Sequence, residues 1–133
     1  MAASPQFVST PVGHLTQFLN ADGTGTKTIF TPASSGSRLE SLYFTSNDTA
    51  ACTVLLRINN GTISLVVDSF TMRPSTTVRP ISYWNALDPN RLTHLNLLDP
   101  AMILPSGMTL EVSLLAALSS GKSLSVFAFG GSF

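Results

Sequence analysis

Charge is scarce in this chain. Of its 133 residues only 11% are charged, seven basic and seven acidic, so the formal net charge is zero; an ordinary soluble domain carries about 25%. So even a balance leaves no electrostatic footprint for nucleic acid, which needs clustered Lys and Arg against phosphate. The nearest approach to a basic patch is Arg73, Arg79 and Arg91, spaced too widely to form a run. Cysteine occurs once, at Cys52, which excludes an intrachain disulfide. Its place in an apolar strand reads as a buried, inert thiol. The two histidines, His14 and His94, fall in no HxH, HExxH or CxxC spacing and in no nucleophile motif. Neither a metal site nor a cofactor is expected, and the chain does not read as an enzyme.

Other absences narrow the field further. No apolar run approaches the roughly 20 residues of a membrane span; "SLLAAL" is among the longest. The opening "MAASPQFVSTPVG" has neither a basic nor an apolar signal region, so cytoplasmic synthesis is the expectation. Glutamate appears only at Glu40 and Glu111. Both take outward strand positions, which suits solvated faces better than a glycosidase carboxylate pair. Asp22, in "NADGTG", resembles a scrap of a calcium loop, but the alternating acidic ligands are missing and turn chemistry explains it better.

What is present is a 44% hydrophobic composition whose polar complement is mostly hydroxyl. The length fits one domain able to fold without staples. Short strands separated by turns run through it. "HLTQFL" (His14 to Leu19) comes first, then "TKTIFT", with Thr26, Thr28 and Phe30 on one face and Lys27 and Ile29 on the other. "RLESLYFTS" slips parity between Leu39 and Leu42, the mark of a bulge or of a strand covered on both faces. "TVLLRINNGTISLVV" is the clearest hairpin: Cys52, Val54, Leu56 and Ile58 share a face, and Ile63, Leu65 and Val67 share the matching one. Asn60-Gly61 suits a type I′ turn between them. Leu110, Val112, Leu114 and Ala116 point inward in a later strand, as do Leu124, Val126 and Ala128 in the last, with Phe127 and Phe129 opposite.

Between Arg73 and Pro105 lies an irregular crossover holding five of the eight prolines. Two "LDP" copies there, at Leu87 and Leu98, predict one or two short helical turns, with Asp capping and Pro at the first helical position. The expectation is therefore all-β: an antiparallel β-sandwich over residues 14–133, preceded by an N-terminal arm (1–13). A jelly roll is the preferred topology. The immunoglobulin-like rival lacks its Cys…Trp…Cys signature. Tyr83 and Trp84, in "ISYWNALDP", are either an exposed aromatic pair able to stack on a sugar or a partner, or packing beneath the crossover.

"GTKTIFTPASSGSRLESLYFTSNDTAACTVLLRI" resembles small virion proteins of tailed bacteriophages, in which "FTP" or "FTA" leads through "G-S-R-L" and "S-N-D-T-A" to an apolar hairpin. "LPSGMTLEVSL" and the closing "SVFAFGGSF" are similar to the same group. The resemblance covers about Gly25 to Ser69 and Ile103 to Phe133. It implies a jelly-roll capsid decoration, or cement, protein on the outer surface of the phage head. Its implied partners are the major capsid protein and itself, as a homodimer or homotrimer, with no nucleic acid and no membrane. Under that reading the arms "MAASPQFVSTPVG" and "FGGSF" are candidates for reaching neighbours. The expected partner-binding residues are Phe7, Val8, Tyr83, Trp84 and Phe133. A tail or neck component, whether adaptor or receptor-binding module, and a carbohydrate-binding β-sandwich are the alternatives.

Overall fold

The computed structural model describes residues 10–87 and 101–133. In chain order they form β1 (Thr10–Leu19), a 3₁₀ turn (Asn20–Asp22), β2 (Lys27–Phe30), β3 (Ser37–Ser46), β4 (Cys52–Asn59), β5 (Ser64–Met72), β6 (Ser82–Asn85), β7 (Met102–Leu104), β8 (Thr109–Leu114) and β9 (Ser123–Ser132). One sheet runs β1-β9-β3-β6, with β7 also on β3; the other runs β2-β8-β4-β5. Every pairing is antiparallel. The chain changes sheet at most of its turns, which is the jelly-roll arrangement of a β-sandwich.

Period-two alternation builds the core. Leu124, Val126 and Ala128 of β9, Val54 and Leu56 of β4, and Leu110, Val112 and Leu114 of β8 are all fully buried, because side chains at alternate positions of a strand share one face. Phe18, Phe30 and Phe44 fill the largest spaces between the sheets. Outward positions carry hydroxyls instead, as where the Thr53 and Thr71 side chains meet at 3.0 Å across β4 and β5.

The parity slip in "RLESLYFTS" is a bulge: β3 pairs Leu39 with Gly130 and then Ser41 with Phe129, leaving Glu40 extra. Opposite it, β9 approaches β3 so closely that a side chain on Gly130 would collide with the Arg38 carbonyl and lie 2.9 Å from Leu39 Cα. The expected irregular crossover contains two strands. β6 pairs with residues 43–46 of β3 and β7 with residues 37–39, both antiparallel. They are two halves of one edge strand that part near the bulge, and the Ala86 amide bonded to the Leu42 carbonyl (2.9 Å) closes the first half.

Several local expectations are corrected. β1 begins at Thr10, inside the stretch read as an arm. A register shift in β2 buries both Ile29 and Phe30, rather than placing them on opposite faces. The hairpin turn is not type I′: Asn60 keeps a negative φ and only Gly61 is positive, at 95°. Four residues, 60–63, link the strands, and the Asn60 Oδ1 atom accepts the Thr62 and Ile63 amides at 3.0 and 2.8 Å, an Asx-type turn. β8 stops at Leu114, so Ala116 is exposed rather than inward. The only helical turn among the described residues is Asn20–Asp22, between β1 and β2. The two "LDP" turns lie at positions 88–89 and 99–100, outside the described residues.

Gly130→Ala is expected to destabilise the protein by roughly 3 kcal/mol or to prevent folding, because rigid backbone must move. Gly13→Ala should cost far less, since its new methyl meets only the Phe129 ring, at 3.0 Å. Urea denaturation of the two variants checks this; equal losses would contradict it.

Candidate interaction surfaces

Three sheet-crossing connections meet at one end of the sandwich, and Asn47–Asp48 joins them. The Asn47 Oδ1 atom accepts the Ser123 amide (2.9 Å), and its carbonyl accepts the Ser75 hydroxyl (2.9 Å). Asp48 is buried; its carboxylate accepts the Ala50 amide (2.9 Å) and the Ser119 amide (3.0 Å), and its carbonyl accepts the Ser75 amide (2.8 Å). Burial pushes the Asp48 pKa up, but the Ser119 and Ala50 amides, the Ser119 hydroxyl and the Lys122 charge together outweigh it, and the carboxyl ends below its ordinary value. The β3–β4, β5–β6 and β8–β9 connections are thus one hydrogen-bonded unit. This pair is the "ND" of "SNDTA".

The two residues of the expected aromatic pair point opposite ways. Trp84 lies beside Phe44 in register and turns inward, its indole stacked on Phe70 at 5.1 Å with 3° between planes. It packs against the core, half-buried. Tyr83 faces out, 65% exposed, and stacks on Tyr43 at 6.4 Å. Phe133 is not on a free arm: its amide donates to the Gly36 carbonyl (3.2 Å), and its carbonyl accepts the Ser35 hydroxyl (2.7 Å). "FGGSF" is the end of β9 rather than a tail. Phe7 and Val8 lie outside the described residues.

Exposed apolar side chains gather on two separate surfaces. The outer face of the first sheet carries a cross-strand row, Leu15 on β1, Phe127 on β9 and Tyr43 on β3. Phe129 lies one pair along and Tyr83 stacks at the end. The second surface is the β4–β5 hairpin. Ile63, Leu65 and Val67 were expected to share the buried face, yet they are 52%, 61% and 45% exposed. A bulge does not turn them outward: Leu56 pairs with Asp68 and Arg57 with Val66, which leaves Val67 extra and sets Leu65 opposite Ile58, on the core-side face. Beyond the Phe70–Trp84 stack, no described strand of the facing sheet covers the hairpin tip. With Ile58 and Met108, these side chains line an apolar hollow of about 270 Å³. Ile58 and Met108 continue into a second hollow beside Met102, Ile103 and Leu104.

Residues weighed for chemistry are engaged locally. Glu40 pairs with Arg38 (2.8 Å) on the first sheet, and Glu111 accepts the Ser64 hydroxyl (3.1 Å) on the second, so the two carboxylates do not converge. Asp22 reaches back to the Leu19 amide (2.7 Å) and to Lys27 (3.2 Å), in that order the causes that lower its pKa. His14 sets its ring edge against Phe30 at 5.5 Å; His94 lies outside the described residues. Cys52 is buried, and burial, with the Asp48 charge adding, pushes its thiol up to about 11. Among the described residues no three His, Cys, Asp or Glu side chains gather as a metal site. Sequence spacing gave no hint that Arg73 and Arg79 would meet. The β5–β6 corner places both in one depression with Ser82, Tyr83 and Trp84.

No protein-family model matches the chain, and no curated protein sequence does. Among solved structures it is similar to Eiger TNF from S. frugiperda, at 12% identity over 90% of this chain and 92% of that one, with a TM-score of 0.40. No residue role is carried over from that likeness.

Asp48→Ala is expected to cost roughly 3 kcal/mol, since charge-assisted hydrogen bonds to buried groups are lost together. A lowered folded pKa contributes stability above the unfolded value of about 3.9 and loses it as pH falls through the folded value. Denaturant midpoints of the parent should therefore fall below about pH 4, and this part of the fall should vanish in the variant. Cys52 should resist iodoacetamide at pH 8 in the native protein and react once urea unfolds it. Rapid native labelling would contradict the burial.

Proposed function

We propose that this chain is a structural virion protein, a capsid decoration protein that binds the outside of a phage head and stabilises contacts between major capsid protein subunits. One observation carries the reading: a small, weakly charged sandwich exposes two separate apolar surfaces, the outer face of one sheet and the hairpin tip of the other. A protein that bridges neighbours needs at least two adhesive sites, and a monomer in solution has no use for either. The resemblance of the β2–β5 segment and of β8–β9 to phage virion proteins supports the same conclusion.

The two surfaces differ in character and in assigned partner. The sheet face is broad and aromatic, with Tyr43, Tyr83 and Phe129 exposed beside Leu15. Aromatic residues are enriched at interfaces, and a flat face can pair with its own copy. This face is assigned to self-association. The hairpin tip is narrow and aliphatic, on the strand that ends its sheet among the described residues. It is assigned to the major capsid protein. Standard interfaces cover about 800 Å² per partner, roughly a tenth of the 7528 Å² surface, so one molecule has room for both. Modest contacts suffice because many copies act together around a shell.

The test separates the two assignments. Leu65→Asp with Val67→Asp should abolish binding to heads lacking the protein, and with it any rise in the temperature at which they burst, while leaving the oligomeric state unchanged. Leu15→Asp with Phe129→Asp should instead reduce the oligomer to monomer in analytical ultracentrifugation. Head binding unaffected by the hairpin variant, in a protein still folded by circular dichroism, would overturn the reading.

A further inference from the structure

We propose that the depression at the β5–β6 corner binds an anionic sugar unit, a hexose ring bearing a carboxylate, sulfate or phosphate. The capsid contact is assigned to the hairpin tip, away from this corner, and the inference stands on Arg73, Arg79 and Trp84, with only Tyr83 shared with the self-association face.

The depression holds about 280 Å³ and is lined by Arg73, Arg79, Ser82, Tyr83 and Trp84. That places it at the lower edge of the usual small-molecule range of about 300–1,000 Å³, room for one ring rather than an extended ligand. Two of the chain's seven basic residues, Arg73 and Arg79, line this one hollow. Elsewhere Lys27 holds Asp22, Arg38 holds Glu40 and Arg57 donates to Ser113, while the Lys122 charge acts on Asp48. No described carboxylate lies within ion-pair distance of Arg73 or Arg79. Paired guanidiniums recognise planar or tetrahedral oxyanions through several charge-assisted hydrogen bonds. Aromatic residues in the same wall favour an anion carried on a ring over a bare ion, because apolar ring faces pack against aromatic surface.

The site is also held in shape before any ligand arrives. Arg79 donates its amide to the Thr76 hydroxyl (2.9 Å) and accepts the Thr76 amide on its carbonyl (2.7 Å). Ser75 is tied by two bonds to Asn47 and Asp48, at 2.9 and 2.8 Å. Trp84 is fixed by its stack on Phe70. Preorganisation of this kind lowers the ordering cost of binding.

Trp84 is the only tryptophan, so its fluorescence reports on this site alone. The intact chain is titrated with glucuronic acid, glucose 6-sulfate, glucose 6-phosphate and glucose. At least one anionic sugar should perturb Trp84 emission saturably, with affinity roughly tenfold or more above that of glucose, and with binding weakened by added salt. Arg73→Gln with Arg79→Gln, both at exposed positions, should weaken that ligand roughly tenfold or more while the circular dichroism spectrum stays the same. The anion preferred among the three identifies the chemical source. Silence with all three anionic sugars, equal response to glucose, or full binding by the double variant would overturn the proposal. None of these results depends on whether the protein binds phage heads.

Discussion

The buried carboxylate of Asp48 is the constraint on which this end of the molecule depends. A jelly roll sends its chain from one sheet to the other many times, and each crossing leaves loop backbone to be satisfied near the core. Asn47 and Asp48 meet that need for three crossings with side-chain oxygens and carbonyls directed at Ser75, Ser119 and Ser123. A charged acceptor is costly to bury alone, but several amides around it reverse the balance, as its lowered pKa records. The β5–β6 corner, with its two arginines, inherits its position from this knot.

The opposite end follows another logic. There the β4–β5 hairpin projects aliphatic side chains from an edge strand, a feature that isolated proteins usually blunt with charge, proline or cover. Here the side chains of Ile63, Leu65 and Val67 stay exposed at the tip, with no described strand of the facing sheet over them. Such an edge is a hazard in a monomer and an asset in an assembly, where a partner removes it from water. The outer face of the first sheet repeats the bargain with aromatic groups. One fold thus separates a polar, pinned end from surfaces suited to adhesion.

Much of the fold was legible because strand alternation is a direct record of burial. The inward series in β4, β9 and β8 as far as Leu114 read correctly, and the parity slip in β3, open to two readings in the sequence, resolved as a bulge. Long-range consequences were not visible. Ile63, Leu65 and Val67 alternate like a buried face, but whether a facing strand reaches them is set by β6, far along the chain. Strands β6 and β7 escaped notice because they are short and sit in proline-rich sequence, where pairing to β3 decides their state rather than propensity. Tyr83 and Trp84 looked like a pair because they are adjacent, whereas adjacency in a strand sends side chains to opposite faces. Arg73 and Arg79 looked scattered, yet a corner pinned by Ser75 brings them together. Asp48 carried a faint signal, a lone acid between Asn and Thr at a strand end, but nothing local shows that its partners lie near positions 75 and 119.

Hydrogen–deuterium exchange of the protein, free and bound to phage heads, tests the central claim most directly. Binding should protect amides in residues 58–67 and 102–108, the hairpin tip and its neighbour, while the 73–82 corner exchanges as before. Protection confined to that corner, or no added protection at the hairpin in a complex that has formed, would contradict the account.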